Sequence, residues 1–230
     1  MADKKPMQIS GKNLAALNMP DACPRCFWIK NTVKNLPFQT FPGIFASIDA
    51  HVKNVVHRAF DDTGKAPAWL PELADALRYQ KVPSWQKSKR VDPTTGIVVT
   101  GVPDDVFECA DGSLIIPDYK TARYTDGQDK LLPIYIGQLN AYRWLWAGMG
   151  AVVRALPLIY CEPHTDEVLA GEEGFTLKFT TKTILVEADD DLIPRLLARA
   201  HEILSAGIPD GITDCGDCEK LTALAAAIGK

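Results

Sequence analysis

Residues 101–120 have the sequence GVPDDVFECADGSLIIPDYK, and their pattern predicts a β-hairpin. Residues 106–109 form a short run of strand character, and residues 114–120 form a second one. Between them, the sequence ADGS at residues 110–113 has the composition of a tight turn. A hairpin of this kind brings the residues that precede its first strand close to the end of its second strand.

Two aspartates and a lysine lie at these two ends. Strand side chains alternate between two faces, so Asp118 and Lys120 share one face and Tyr119 points to the other. The hairpin brings Asp104 towards the same point. Carboxylates bind Mg²⁺, and a metal with a nearby lysine activates water and offsets charge during phosphodiester hydrolysis. A solvated strand face is the alternative, but a charged pair that ends an apolar strand is costly unless it is paired or metal-bound.

Residues 133–147 are rich in Leu, Ile, Tyr and Trp and are predicted to form a helix. A proline lies in the first turn and Gly148 follows the last one, as is typical of helix ends. Gln138 and Tyr142 are four residues apart and therefore share a face. The pair is placed to hydrogen-bond a phosphate or a metal-bound water, although an ordinary buried helix with a polar margin has the same pattern.

In their order and spacing, these motifs resemble those of the PD-(D/E)xK nuclease superfamily. Within it, they resemble the RecB-like branch that includes the CRISPR-associated adaptation nucleases. The core of the resemblance covers about residues 95–145. The matching pieces are Gly101-x-x-Asp104, Asp118-x-Lys120 and Gln138-x-x-x-Tyr142.

The resemblance implies a role for each residue and an activity. Asp104 and Asp118 would bind Mg²⁺ or Mn²⁺, and Lys120 would assist the attacking water. Gln138 and Tyr142 would support the DNA end or the site. The implied activity is that of a metal-dependent nuclease acting on single-stranded DNA or DNA ends. CRISPR adaptation and DNA repair are the implied pathways, with an integrase or a repair protein as partner.

Two Cys-x-x-Cys pairs lie near opposite ends of the chain. Cys23 and Cys26 form the first pair, and Cys215 and Cys218 form the second. Four thiolates suit a tetrahedral zinc ion or an iron–sulfur cluster. A local zinc ribbon would bring its pairs much closer in sequence, so these pairs must meet through tertiary folding.

The resemblance implies that the four cysteines hold a [4Fe–4S] cluster that joins the N- and C-terminal segments. In the RecB-like nucleases one cysteine is N-terminal and three are C-terminal, whereas this chain has two near each end. Zn²⁺ is therefore the alternative. Residues 1–10 are polar rather than a signal peptide, which predicts a cytoplasmic protein without disulfides. The remaining cysteines, Cys109 and Cys161, lie in apolar runs and are expected to be small buried hydrophobes.

The composition indicates a soluble globular chain of one domain, residues 1–230, with its core at about residues 95–190. Of its residues, 47% are hydrophobic and 23% are charged, and the net charge is -4. That charge excludes a passive, charge-driven nucleic-acid coat protein, whereas a nuclease needs only a local basic path. No apolar run approaches the ~20 residues that cross a bilayer, so no membrane partner is expected.

Residues 43–60 are predicted to form a helix with an apolar stripe. His51 lies beside that stripe and is the preferred additional metal ligand, because the resemblance implies a histidine on a helix upstream of the first aspartate. His57 is the second candidate, and a structural or solvated histidine is the alternative to both. The predicted stripe consists of Ile44, Ile48, Val52, Val55 and Ala59.

The other predicted elements complete an α/β fold, a restriction-endonuclease-like mixed sheet flanked by helices. Residues 61–96 are interpreted as an insertion with a helix at 71–79. Residues 189–191 are acidic and are expected to cap a helix that ends near residue 206. A weak helix and tail are expected after Cys218. The predicted strands lie at residues 96–102, 105–109, 114–119, 152–160, 175–179 and 183–186.

Two other functions remain as alternatives. A non-catalytic module would keep the fold and bind DNA or a protein, but the intact Asp104, Asp118 and Lys120 argue against a degenerate site. An enzyme that uses the cysteines for electron transfer or radical chemistry is the second. A site closed by two cysteine pairs does not suit such an enzyme, because radical enzymes need one cluster iron without a cysteine ligand.

Overall fold

The computed structural model describes residues 6–34, 42–125, 129–171 and 174–229. Within these ranges, no helix is both long and apolar enough to cross a membrane. The strands are β1 (Gln8–Ser10), β2 (Ala76–Tyr79), β3 (Lys89–Val91), β4 (Val98–Thr100), β5 (Phe107–Cys109), β6 (Leu114–Ile115), β7 (Asp118–Thr121), β8 (Val153–Ala155), β9 (Pro157–Gly171) and β10 (Gly174–Leu185). The α-helices are α1 (Gly11–Ala15), α2 (Pro24–Thr32), α3 (Gly43–Thr63), α4 (Leu132–Ala147), α5 (Leu192–Ser205) and α6 (Gly216–Ala227).

The predicted hairpin is present as the antiparallel pair β5–β6. Its second strand is interrupted, because Pro117 has no N–H to donate and separates β6 from β7. β6 then runs parallel to β8, and β7 runs parallel to β9. The strand orders are β2-β5-β6-β8, β10-β9-β7 and β1-β4-β3. The prediction of one continuous strand at residues 114–119 is therefore wrong at the proline.

Helices cover both faces of these strands. Leu114 and Leu158 belong to a core cluster that includes residues of α1, α4 and α5. Ile115 and Ile159 belong to a second cluster that includes Val56 of α3. Neighbouring strand residues thus enter different cores, as the period of two requires. The predicted mixed α/β fold with flanking helices is confirmed.

The segment at residues 61–96 differs from its prediction. A 3₁₀ turn spans Pro71–Leu73, and the chain then continues as β2 instead of the predicted helix. β2 pairs with β5, and β3 pairs with β4. Cross-strand pairing overrode the local helical pattern. This segment therefore supplies strands to two sheets rather than forming an insertion beside them.

Several other boundaries also depend on pairing. The predicted strand at residues 152–160 is divided into β8 and β9, and the two predicted strands after it form the single strand β10.

α5 begins where the acidic residues predicted it, because Asp189 Oδ1 accepts hydrogen bonds from the backbone N–H groups of Asp191 and Leu192. Asp189 therefore serves the helix terminus as expected, whereas Asp190 pairs with Arg143 and Asp191 makes no side-chain cap bond.

Gly101 allows the chain before the hairpin to pack directly on α4. A Cβ atom at this position would lie 2.9 Å from Tyr142 Cε1 and 3.0 Å from Leu145 Cδ1. Both neighbouring side chains are buried, so neither can move away freely. Gly101 is thus needed for the close approach, which keeps Asp104 near α4.

We predict that Gly101→Ala lowers the free energy of unfolding by about 1–3 kcal/mol, because the added methyl group overpacks this contact. Gly43→Ala is the matched control. A Cβ atom at Gly43 meets nothing within 4 Å, so this substitution should be neutral or slightly stabilising. Urea denaturation of both variants measures the difference, and equal stabilities would contradict the packing argument.

Candidate active site and metal centre

The candidate active site lies along β7, which is the edge strand of its sheet within the described residues. Asp118 pairs in register with Leu158, and Lys120 pairs with Tyr160. The Lys120 ammonium forms an ion pair with Asp118 Oδ2. It also lies 4.7 Å from the centre of the Tyr135 ring, a cation–π contact with α4. The strand pattern thus places Asp118 and Lys120 together on the face of α4.

Helix α4 supplies the neutral polar groups of the site. Gln138 Nε2 donates a 3.0 Å hydrogen bond to Asp118 Oδ1 and a 2.8 Å hydrogen bond to the Tyr142 hydroxyl oxygen. All three side chains are buried. The i, i+4 spacing therefore directs Gln138 and Tyr142 to one point, beside the carboxylate that ends the apolar strand.

Asp104 reaches β7 from the side on which the described residues place no strand. Its Oδ2 accepts a 3.0 Å hydrogen bond from the backbone N–H of Tyr119. Its Oδ1 lies 2.9 Å from the Lys53 ammonium of α3. The carboxylate thus satisfies a backbone donor that an adjacent strand would otherwise bind. Asp104 and Asp118 therefore both lie at this edge strand.

Burial and mutual repulsion disfavour the charge on Asp118. Desolvation is the largest cause and raises its pKa to about 6, opposed by the Lys120 ammonium and reinforced by the charge of Asp104. The pKa of Tyr142 is also raised, first by burial and then by the charge of Asp118. The charge of Asp104 therefore lies close enough to contribute to the raised pKa of Asp118.

Helix α3 contributes three polar residues that the sequence analysis did not assign to the site as a set. Asp49 accepts a 3.2 Å hydrogen bond from the Thr121 hydroxyl of β7. Lys53, one turn later, pairs with Asp104, and His57, two turns later, lies 2.8 Å from Asp105 Oδ1. Their i, i+4, i+8 spacing was the available signal. The predicted apolar stripe lies on another face of α3 and therefore did not point to these residues.

His51 is not where the sequence predicted it. The side chain is exposed rather than facing inward, and it lines an apolar concavity that also includes Trp69 and Phe179. Of the predicted stripe, Ile44 and Val55 are exposed, whereas the buried residues of α3 are Val56 and Phe60. His57 faces the strand layer instead, through Asp105 and through stacking on Tyr79 at 3.9 Å.

The donor set around the aspartates fits a divalent cation such as Mg²⁺ or Mn²⁺. Carboxylate oxygens are the hard ligands that such ions prefer. Lysine ammonium groups contact Asp104 Oδ1 and Asp118 Oδ2, the positions at which a cation would serve as counterion. Within the described part of the chain, the buried Gln138 Oε1 has no hydrogen-bond partner, so it can accept a bond from a water beside such an ion.

The four predicted cysteines meet in space. Their sulfur atoms all lie within 4.8 Å of one another. The Sγ atoms of Cys23 and Cys218 are 3.6 Å apart, those of Cys26 and Cys215 are 3.5 Å apart, and those of Cys26 and Cys218 are 3.6 Å apart. This cluster joins the N- and C-terminal segments, as the sequence predicted.

Each Cys-x-x-Cys pair occupies the first turn of a helix. Cys23 is the N-cap residue of α2, and Cys215 is the N-cap residue of α6. Burial raises the pKa of Cys23, but hydrogen bonds from the backbone of Cys26 and Ile212 outweigh it, and the pKa falls to about 6. A thiolate at a helix N-terminus is also favoured by the helix dipole. Burial and the neighbouring sulfurs raise the pKa of Cys26 and Cys218, so the four thiolates together need a cation among them.

Close backbone approach completes the cysteine centre. A Cβ atom at Gly211 would lie 2.8 Å from Cys218 Sγ, so the chain that leads to α6 passes directly beside the sulfurs. Arg25, between the two N-terminal cysteines, donates a 3.1 Å hydrogen bond to the carbonyl oxygen of Pro209. Cys109 and Cys161 are buried elsewhere, as predicted.

Comparisons with known proteins identify a shared fold. The chain is similar to a phage-related exonuclease from Haemophilus somnus, with 12% identity over 87% of this chain and 94% of that one, and a TM-score of 0.52. LHK-Exo, in a crystal structure with dAMP, aligns at 13% identity over 97% and 96% of the chains, with a TM-score of 0.41. SSO0001 aligns at 19% identity over 90% and 80%, with a TM-score of 0.46. No protein-family model matches the sequence, and no curated protein matches it significantly.

We predict that Asp118→Asn stabilises the metal-free protein above pH 6. The folded-state pKa of Asp118 is raised from 3.8 to about 6, so the native carboxyl retains its proton where the unfolded one has lost it. The contribution of Asp118 to the free energy of unfolding therefore falls by about 1–3 kcal/mol as pH rises between about 4 and 6, and it is constant at higher pH. Asn carries no charge, so the variant does not undergo this loss.

Melting temperatures of both proteins without added Mg²⁺ or Mn²⁺, between pH 4 and 8, measure this difference. Asp111→Asn is a control of opposite sign, because bonds from the Ser113 hydroxyl and backbone N–H lower the pKa of Asp111. A wild-type advantage over Asp118→Asn that grows with pH would contradict the burial argument.

Proposed function

We propose that this protein is a metal-dependent DNA nuclease of the PD-(D/E)xK type. The observation that carries the proposal is the convergence of Asp104, Asp118 and Lys120 at the free edge of β7. Charged groups with this much burial lower stability, and their concentration at one sheet edge is typical of a functional site. The fold shared with a phage-related exonuclease supports the same activity.

In this proposal the residues have separate tasks. A divalent cation held by Asp104 and Asp118 would supply Lewis-acid stabilisation of the phosphate and lower the pKa of water. Lys120 orients the attacking water and offsets charge on the phosphate. Gln138 holds Asp118 in place, and the Tyr142 hydroxyl fixes the Gln138 amide in turn. Single-stranded DNA or a DNA end is the proposed substrate, and an integrase or repair protein is the proposed partner, both from the resemblance.

We predict that Lys120→Ala lowers Mg²⁺- or Mn²⁺-dependent cleavage of single-stranded DNA by at least about 100-fold. Its fold should persist, because Asp118 keeps its hydrogen bond from Gln138. Lys65→Ala, an exposed lysine beyond α3, is the control and should cleave at the wild-type rate. Labelled oligonucleotides measure the rates, and circular dichroism checks the fold. Wild-type protein that cleaves nothing with either metal would refute the nuclease proposal in favour of a binding module.

For the cysteine centre, we propose a single tetrahedral ion, Zn²⁺, rather than the [4Fe–4S] cluster favoured by the resemblance. Metal–sulfur bonds of about 2.3 Å around a single ion place the sulfurs about 3.8 Å apart. Three of the six sulfur pairs are 3.5–3.6 Å apart and all six lie within 4.8 Å, which is near that separation. In a cluster each thiolate binds a different iron, so the sulfurs lie farther apart.

Purified protein should therefore contain about one zinc per chain and no inorganic sulfide. Cys218→Ala should lose the metal and lower the melting temperature, because metal binding is linked to folding. Cys109→Ala should keep the metal, because this buried cysteine lies outside the four-sulfur cluster. Elemental analysis, sulfide assay and calorimetry provide the measurements. Iron and sulfide in equal amounts, retained after anaerobic purification, would show a cluster instead.

A further inference from the structure

Lys53 of α3 has an unusual position for a helix lysine, since its ammonium contacts a candidate metal ligand. It lies 2.9 Å from Asp104 Oδ1, while the other oxygen of Asp104 accepts the N–H of Tyr119. The Lys53 side chain is only 28% exposed. Asp104 is therefore held by one neutral backbone donor and one positive charge.

Asp118 is held in the same way. Gln138 donates to its Oδ1, and the Lys120 ammonium contacts its Oδ2. In each of the two aspartates, one carboxylate oxygen thus accepts a hydrogen bond from a neutral donor and the other contacts a lysine ammonium group. The two carboxylates and two ammonium groups sum to zero charge. Binding of a divalent cation would leave the same set with two positive charges, which favours a phosphate.

We propose that Lys53 is a second active-site lysine that changes partner. Without a divalent cation it is the counterion of Asp104, and with the cation present it binds a phosphate of the DNA substrate. This proposal rests on the proposed nuclease function. Lysine suits the exchange, because its ammonium is a point charge on a flexible stem and can bind either anion.

The surroundings of Lys53 separate this role from a purely structural one. Asp49, one turn before it, accepts a hydrogen bond from Thr121, and His57, one turn after it, contacts Asp105. These two contacts anchor α3 to the strand layer on either side of Lys53. The Lys53–Asp104 pair can therefore open without releasing the helix.

Lys53→Met provides the test, because it keeps much of the apolar stem and removes the charge. Without the competing ammonium, Mn²⁺ should bind roughly 2- to 5-fold more tightly in the absence of DNA. Binding of a single-stranded 20-nucleotide DNA in Ca²⁺ should weaken, and the salt dependence of its binding should lose about one phosphate contact. Lys53→Arg should recover most of the DNA affinity.

Arg58→Met is the matched control, since it removes an exposed positive charge from the same helix. It should leave Mn²⁺ affinity unchanged. Mn²⁺ binding is measured by electron paramagnetic resonance, DNA binding by fluorescence anisotropy, and folding by melting temperature. A merely structural ion pair predicts a lower melting temperature and no gain in Mn²⁺ affinity.

Weaker or unchanged Mn²⁺ binding by a folded Lys53→Met protein would overturn the proposal, as would unchanged DNA affinity beside a wild type that cleaves DNA. Failure of the nuclease function itself is a different result. In that case the wild type neither cleaves nor binds the oligonucleotide, and the Mn²⁺ measurement alone decides whether Lys53 competes with a cation at Asp104.

Discussion

The hydrogen bond from the Tyr119 N–H to Asp104 is the interaction on which the candidate active site depends. β7 ends its sheet in the described residues, so its outer edge has backbone donors that need partners. A carboxylate provides one of these partners here, and it thereby comes close to Asp118. The same contact closes the edge to another strand and brings two negative charges together. This hydrogen bond thus places Asp104 of the candidate site at the edge of the sheet.

Two helices from opposite faces of the strands make this concentration of charge tolerable. α4 supplies Gln138 beside Asp118, and α3 supplies Lys53 beside Asp104. Each aspartate therefore has a neutral donor and a cation, although the pKa of Asp118 remains raised by burial. The buried charge therefore makes the folded protein less stable than it would be with neutral side chains at these positions, and such a loss of stability is common where function requires buried charge.

The cysteine centre holds together α2 and α6, two short helices from opposite ends of the chain. α6 has no buried residue in the described structure, so apolar packing holds it weakly. The sulfur contacts between Cys23 and Cys218 span 195 residues of sequence. A bound metal would join the two segments through four bonds, which apolar packing does not do here.

Local sequence patterns were enough to predict the β5–β6 hairpin, helix α4 with Gln138 and Tyr142 on one face, and the two Cys-x-x-Cys turns. Periodicity and turn composition are local, so they are legible without a structure. Tertiary packing, in contrast, brings Lys53 to Asp104 across 51 residues of sequence and leaves His51 exposed while His57 is half-buried. Which face of α3 is buried depends on the strands that it covers, and the helical spacing of its polar residues does not show which groups they face.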